Sequence, residues 1–589
     1  MNQALPPRRW RWWASPSLHL ALFALALSLC KLAALEVGSR QYLECHWCLA
    51  NKAVSYELAF LFLVGLLHVL SGLPRQRLLR FALRLLLVTL LLITVVDLVV
   101  LTQFVRRLRM VELIVFGAQL GAVGSFAKQL FSNWQGALLA SAQGAAVALV
   151  LGRYLLRDRT SPRRAWVVGL VALGMTACKV AEPHEFHTGY LQNSVEAFFT
   201  PWTSNKPYSD AFKASLPPAP ATKAVCTNGL GERPNIVLVL VESLSMYHSR
   251  LFSGMEDWTP QLDAASTQGR RLANFYANGI TSEQALIALL TGEPPIARGT
   301  RGVVTEFEQF HQPLHSVPRL LGGLGYRTQF LTTGDLGFLD KGAWLKGIGF
   351  DTVEGSEAAA YNGMKRYQFG AAPDDALYHR ALDQLAQDDG RPQFMLLETV
   401  TTHGPFVDPD TGQHSQERAF GYADRALGQF LGELRARGFF EHNGYVLVMG
   451  DHRAMLPMRA EETARYGDGA YARTPFVLLG SQRRAAPSAQ PELTAFSQSD
   501  LYPSLQHWLG QGRQCFGPDE GVFLPTAVHA PACIYSHRPY DFNNVYAHCG
   551  GNDYVVKLNG DATAYAGVAS GPPQLLNELH RLRLGQGFD

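Results

Sequence analysis

Five near-continuous apolar runs crowd the first 182 residues, at 18–37, 53–73, 81–104, 137–156 and 165–180. A helix needs about 20 mostly apolar residues to cross a bilayer, and the first four runs approach that length. The fifth is shorter and contains Cys178. So many runs of this kind are foreign to a single soluble domain, so they predict an all-α transmembrane bundle of about five helices over residues 1–182. Composition agrees: charged residues are 17% and hydrophobic residues 47%, against about 25% charged in an ordinary soluble domain. The net charge of +3 is close to neutral for 589 residues and no basic run stands out, which speaks against a nucleic-acid partner.

The short loops set an expected orientation. Arg8, Arg9 and Arg11 with Trp10, Trp12 and Trp13, then Arg75, Arg77 and Arg80, then Arg153, Arg157, Arg159, Arg163 and Arg164 mark cytoplasmic ends. Five spans then place everything after about Pro183 outside. Arg106, Arg107, Arg109 and Lys128 dissent, and the apolar stretch 111–126 is open to reading as a sixth span or an interfacial helix. The first run has no small-residue cleavage site and is expected to stay attached. An outer location permits disulfides, and Cys226, Cys515, Cys533 and Cys549 allow three pairings. Cys45 and Cys48 flank His46 and Trp47, as a local disulfide or two thiols. Residues 183–232, with Pro201, Pro207, Pro217, Pro218 and Pro220, read as a linker.

The remainder, 233–589, alternates strands and helices. Strand candidates are 235–241, 327–332, 394–400, 445–449 and 476–479; helix candidates are 259–269, 282–290, 315–322, 374–387, 416–437 and 500–509. Such alternation predicts a doubly wound α/β sheet covered on both faces, with ligands beyond the carboxyl ends of its strands. Residues 511–589 are left as a C-terminal extension without an assigned place, an acceptor-binding addition being one option.

Three strand ends carry chemistry. Run 235–241 ends in Glu242 and Ser243, run 445–449 in Gly450-Asp451-His452, and His403 follows run 394–400. Each alone reads equally well as a solvated turn or a structural hydrogen-bonder; together, carboxylates and imidazole suit a divalent metal. In Asn278-Gly279-Ile280-Thr281-Ser282-Glu283 a hydroxyl stands where a helix begins. It is either an ordinary N-cap or a nucleophile beside a helix N-terminus that cradles phosphate or sulfate. A threonine hydroxyl attacks only once a base or metal takes its proton. An ion held by Glu242, Asp451, His452 and the Thr281 oxygen meets that need.

These stretches, with 402–406, 420–434, 473–478 and 497–510, resemble the sulfatase-fold membrane transferases of the alkaline phosphatase superfamily, such as lipoteichoic acid synthases and phosphoglycerol transferases of periplasmic glucans. The resemblance implies a catalytic domain facing outward, and the richness in Ala, Arg and Leu points to a Gram-negative inner membrane with that domain on the periplasmic side. The resemblance also implies one divalent ion, Mn2+ foremost with Mg2+ or Zn2+ as options, on Glu242, Thr281, Asp451 and His452. Thr281 matches the nucleophile and His403 a substrate contact. The implied reaction moves phosphoglycerol from a phospholipid, through a phosphoglyceryl-threonine, to an envelope glycan or lipid. The chain departs from the family at Phe338-Leu339-Asp340-Lys341, where the synthases carry Phe-Trp-Asn-Arg, and at Thr333, where they carry His. Lys341 is expected to meet phosphate as a point charge rather than a fork. Arg453, after Asp-His, faces substrate or solvent in this reading. The alternatives are a phosphoethanolamine transferase, whose Gly-Thr-Ser-Thr-Ala context is missing, a sulfatase, whose C/S-x-P-x-R run is missing, and a non-enzymatic scaffold, which would not need every ligand kept.

Overall fold

The computed structural model describes residues 16–43, 47–104, 107–110, 134–156, 198, 207–217, 224–298, 305–387, 389–480, 492–538, 541–566 and 571–585. The chain separates into two compact units that part near residue 201.

The first unit is helical: α1 Pro16–Leu43, α2 Cys48–Gly72, α3 Arg77–Phe104 and α4 Trp134–Leu156. Among the described residues three helices are long and apolar enough to cross a membrane, at Pro16–Gly38, Ala53–Gly72 and Arg77–Thr102. This corrects the expected five. The apolar part of α4 is the shorter Gly144–Leu156, and run 165–180 and stretch 111–126 lie outside the described residues, as does Cys45. Leu20, Ala24 and Leu27 of α1 pack with Phe60 and Val64 of α2, Leu87 and Leu91 of α3, and Tyr154 of α4. Leu22, Leu25, Leu29, Leu78, Leu85 and Leu86 face outward, as lipid-facing side chains do. Lys31 and Glu57 meet at 2.7 Å, both buried, because a lone charge at this depth is costly.

The second unit is α/β. Its described strands of three or more residues are β1 Val225–Asn228, β2 Asn235–Val241, β3 Arg270–Leu272, β4 Arg327–Thr332, β5 Thr352–Glu354, β6 Gln393–Glu398, β7 Gly444–Gly450, β8 Phe476–Leu479, β9 Arg513–Phe516, β10 Cys533–Arg538, β11 Asp541–Cys549, β12 Asn552–Asn559 and β13 Ala562–Ala566. Seven form the main sheet in the order β3-β8-β7-β2-β6-β4-β5. The five strands from β7 to β5 are parallel, while β8 runs antiparallel to β7 and to β3. The sheet is therefore mixed rather than uniformly doubly wound. The central strands are buried along nearly their whole length, which is why they read as unbroken apolar runs. Helices α5 Pro260–Ser266, α6 Ser282–Thr291, α7 Asp374–Leu385, α8 Gln416–Ala436 and α9 Leu501–Leu509 sit close to their expected bounds.

The former extension is structured. Strands β10 to β13 form a four-stranded antiparallel sheet, backed by α10 Pro573–Arg583, whose Leu575, Leu579 and Leu582 pack on Tyr535, Val545 and Val556. Of the three open pairings the structure selects Cys226–Cys515, across the β1–β9 pair, and Cys533–Cys549, across β10–β11.

Candidate active site

Register brings the site together. In the middle of the sheet β2 pairs with β7 so that Val241 lies opposite Gly450, and with β6 so that Leu240 lies opposite Glu398. Glu242 after β2 and Asp451 after β7 therefore emerge at one level, with His452 next in the chain and Thr399, after β6, one residue lower. Gly450 is obligatory there, since a Cβ would lie 2.3 Å from the Leu244 carbonyl oxygen.

Glu242, Asp451 and His452 are all buried, and one ligand atom from each lies within 4.8 Å of the others. The Ser243 amide donates to Asp451 Oδ1 (2.6 Å) and the Ser243 hydroxyl to Glu242 Oε1 (2.7 Å). The Glu242 amide donates to Thr399 Oγ1, and Thr402 Oγ1 donates to the Glu242 carbonyl. These bonds hold Ser243 at φ 58, a left-handed conformation costly for a residue with a Cβ. Five of the seven described non-glycine residues with left-handed φ, namely Ser243, Leu339, Asp340, Phe369 and Phe406, flank Glu242, Lys341 or His403. Strain of this kind gathers at functional sites.

The donor set fits a divalent cation. His452 Nδ1 donates to the Arg453 carbonyl (2.9 Å), which leaves Nε2 turned toward the two carboxylates. That Nε2 is buried without a hydrogen bond, 3.3 Å from Asp451 Oδ2 and 3.8 Å from Glu242 Oε1. Burial works against the Glu242 carboxylate, but His403 and His452 outweigh it and hold its pKa below the ordinary value. Burial, then the charge of Glu242, pushes Asp451 well above its ordinary value. Two acids and a turned-in imidazole nitrogen in one buried space are what a metal ion neutralises.

Ser282, the first residue of α6, completes the cluster. Its hydroxyl donates to Asp451 Oδ2 (2.9 Å) and Glu242 Oε2 (3.1 Å). Thr281, the expected nucleophile and ligand, is the N-cap of α6, and its Oγ1 accepts from the Gln284 amide. The signal for Ser282 was present in the capping pattern Thr281-x-x-Gln284, which assigns the threonine hydroxyl to its own helix. Asn278 and Gln498 were not legible as site residues. Gln498 Nε2 donates to the carbonyls of Gly450 (3.0 Å) and Asp451 (2.7 Å), while its Oε1 accepts from the Asn278 amide (3.1 Å). Asn278 in turn donates from Nδ2 to the Tyr535 carbonyl and accepts the Ser499 amide on Oδ1. The His537 amide donates to the Asn278 carbonyl, so the C-terminal sheet braces the turn that carries Ser282.

The remaining expected residues are placed as follows. His403 Nδ1 lies 2.6 Å from the Gly404 carbonyl oxygen, and its ring meets Phe369 edge-on. Half-buried Lys341 meets the buried Glu398, its Nζ at 2.7 and 2.9 Å from the two carboxylate oxygens. Burial disfavours its charge, but Glu398 outweighs burial and raises its pKa. Thr333 donates to the Ala372 carbonyl. Arg453 faces neither substrate nor solvent: it is buried, paired with Glu462 through two nitrogens and bonded to the carbonyls of Ala454, Leu456 and Pro457.

Residues 234–511 match the sulfatase family. The α/β domain of this chain belongs to that family. Phosphoglycerol transferase I of Xanthomonas axonopodis pv. citri is 25% identical over 379 residues, 60% of this chain and 52% of that protein. The N-acetylgalactosamine-6-sulfatase of Sus scrofa is 30% identical over 138 residues, 22% of this chain and 26% of that one. The chain thus spans about half the length of the phosphoglycerol transferases it matches. Among solved structures, lipoteichoic acid synthase LtaP of Listeria monocytogenes aligns at TM-score 0.44 and 19% identity, covering 64% of this chain and 95% of that one.

Proposed function

We propose that this sulfatase-family enzyme transfers a phosphoglycerol group from a membrane phospholipid, foremost phosphatidylglycerol, to a glycan or lipid of the cell envelope. The observation that carries the reading is the hydroxyl at the head of α6 turned onto two buried carboxylates beside an imidazole nitrogen. The relatedness to phosphoglycerol transferases supports the choice of donor, and the three apolar helices suit a lipid substrate. In this reading the catalytic domain lies on the outer side of the inner membrane.

Glu242, Asp451 and His452 would hold the divalent ion, Mn2+ foremost. Bound there, it supplies Lewis-acid polarisation of the phosphoryl group and lowers the pKa of a neighbouring hydroxyl. The chain's own residues do the rest. The hydroxyl attacks phosphorus, and the first-turn amides of α6 face the phosphate oxygens with the positive end of the helix. His403, on the loop after β6, contacts the leaving or entering oxygen in this reading. Lys341, neutralised by Glu398, shapes the head-group pocket through its ion pair rather than as a free cation. An acceptor hydroxyl then displaces the enzyme oxygen and carries the group away.

The test is intact mass of the detergent-purified chain after incubation with Mn2+ and phosphatidylglycerol, with phosphatidylethanolamine in parallel. A phosphoglycerol adduct is expected. A phosphoethanolamine adduct alone would replace the donor, and a protein that binds metal yet never carries either group would refute a head-group transferase.

A further inference from the structure

We propose that Ser282, not Thr281, is the nucleophile of this site and the hydroxyl that joins its metal ligands. This rests on the covalent transfer proposed above and names the atom that carries it. The two neighbouring hydroxyls have different jobs in the structure. Thr281 has an extended backbone, φ −133 and ψ 158, and its Oγ1 is engaged by the Gln284 amide. The same glutamine closes the turn from the other side: its Oε1 accepts the Ile280 amide (2.8 Å), and its Nε2 donates to Glu306. Gly279 lets the turn close this tightly, since a Cβ there would lie 2.2 Å from Gln284 Cβ. Thr281 is thus the N-terminal cap of α6. Being β-branched it is also stiff about χ1, and swinging its oxygen to the carboxylates would strip the helix of its cap.

Ser282 is the first helical residue, and side chains on a helix lean back toward its N-terminus. That lean takes its Oγ out of the helix and onto Asp451 and Glu242, at 2.9 and 3.1 Å, on two different strands of the sheet. Ser282 is partly exposed while the two acids are buried, so substrate can reach the oxygen from the open side as the acids hold it from behind.

In the first half-reaction the Ser282 Oγ–P bond forms as the bond from phosphorus to the diacylglycerol oxygen breaks. Ser282 Oγ gives up its proton as it attacks. Diacylglycerol leaves with the electron pair of the broken bond and takes up one proton, and a glycerol–phosphate–Ser282 diester remains. In the second, an acceptor hydroxyl attacks phosphorus and gives up its proton. The Oγ–P bond breaks, and Ser282 Oγ is reprotonated.

The experiment compares wild type, Ser282→Ala and Thr281→Val as full-length chains in detergent. One arm titrates Mn2+ and reads the free ion by electron paramagnetic resonance. Ser282→Ala is expected to weaken binding by about ten-fold, while Thr281→Val stays within about two-fold of wild type and melts at a lower temperature for want of its cap. The other arm incubates each protein with Mn2+ and phosphatidylglycerol micelles and fragments the 270–298 peptide. The adduct is expected on Ser282 in wild type and Thr281→Val, and nowhere in Ser282→Ala. An adduct on Thr281, or Mn2+ affinity unchanged in Ser282→Ala but lost in Thr281→Val, overturns the assignment. If wild type forms no adduct, the donor reading fails on its own, and the Mn2+ arm still decides where Ser282 stands.

Discussion

Gln498 is the strut between the two halves of the site, and replacing it by methionine isolates that role. Methionine keeps the length and flexibility of the side chain but neither donates nor accepts a strong hydrogen bond. In Gln498→Met the carbonyls of Gly450 and Asp451 and the amide of Asn278 each lose the bond that the glutamine now makes. The side chain is fully buried, so water does not replace them. A buried polar group left without its partner costs about 1–3 kcal/mol. Three such groups, with partial relaxation, give about 4 kcal/mol, a large share of the roughly 5–15 kcal/mol that holds a domain folded. Because the carbonyl belongs to Asp451 itself, Mn2+ affinity should fall as well, by about 10–100-fold as for other supports of metal ligands. The assay is urea unfolding by near-ultraviolet circular dichroism, with a Mn2+ titration on the same protein. A Gln498→Met protein within about 1 kcal/mol of wild type and with unchanged Mn2+ affinity would refute the strut.

Glu306 is half-buried, and the loss of water around its carboxyl, with the like charge of Glu283, raises its pKa to about 7. Its folded pKa lies above its unfolded value, so the stability linked to its proton is full below about pH 4.5 and is lost as pH rises through 7; Glu306→Gln should gain about 3 kcal/mol over wild type at pH 8 and little at pH 4.5, read by melting at both. Lys341→Met strands Glu398 in a buried place and should destabilise by about 3–5 kcal/mol, most of it recovered when Glu398→Gln is added. The Cys533–Cys549 bond spans 16 residues and Cys226–Cys515 spans 289; by chain entropy, removal costs on the order of 3 and 5–6 kcal/mol respectively, so Cys226→Ser with Cys515→Ser should melt lower than the Cys533/Cys549 pair replaced likewise.

What the sequence discloses depends on whether a signal is local. Strands β2, β6 and β7 are buried on both faces, so each is an apolar run that halts at a polar residue, and the halts at Glu242, Asp451 and His452 were legible for that reason. The edge strands β3 and β5 have three residues each and no period to recognise. The antiparallel course of β8 is set by its pairing with β7, which no run of four residues reveals. Asn278, Gln498 and Tyr535 meet across more than 200 positions of chain, a contact that only folding creates. Arg453 looked like site chemistry because it follows Asp-His, yet its partner Glu462 stands nine residues further on at the head of a short helix. The neighbours Thr281 and Ser282 offer the same functional group. Which one faces Glu242 and Asp451 is a matter of one residue of helical phase.

The bond between Cys226 and Cys515 also decides how the catalytic sheet feels a pull. All seven strands of that sheet lie in the chain between the two cysteines, while β1 and β9 clamp its entry and exit side by side. Tension arriving from the membrane-side segment before Cys226 meets the sulfur bridge before it meets β2. It is shunted into Cys515 and the region beyond, and the strand that carries Glu242 is left slack. In the membrane-anchored reading proposed above, a chain built this way can be tugged by a moving bilayer without Glu242 and Asp451 being drawn apart. Opening the bridge would put β2 and Glu242 directly in line with the load.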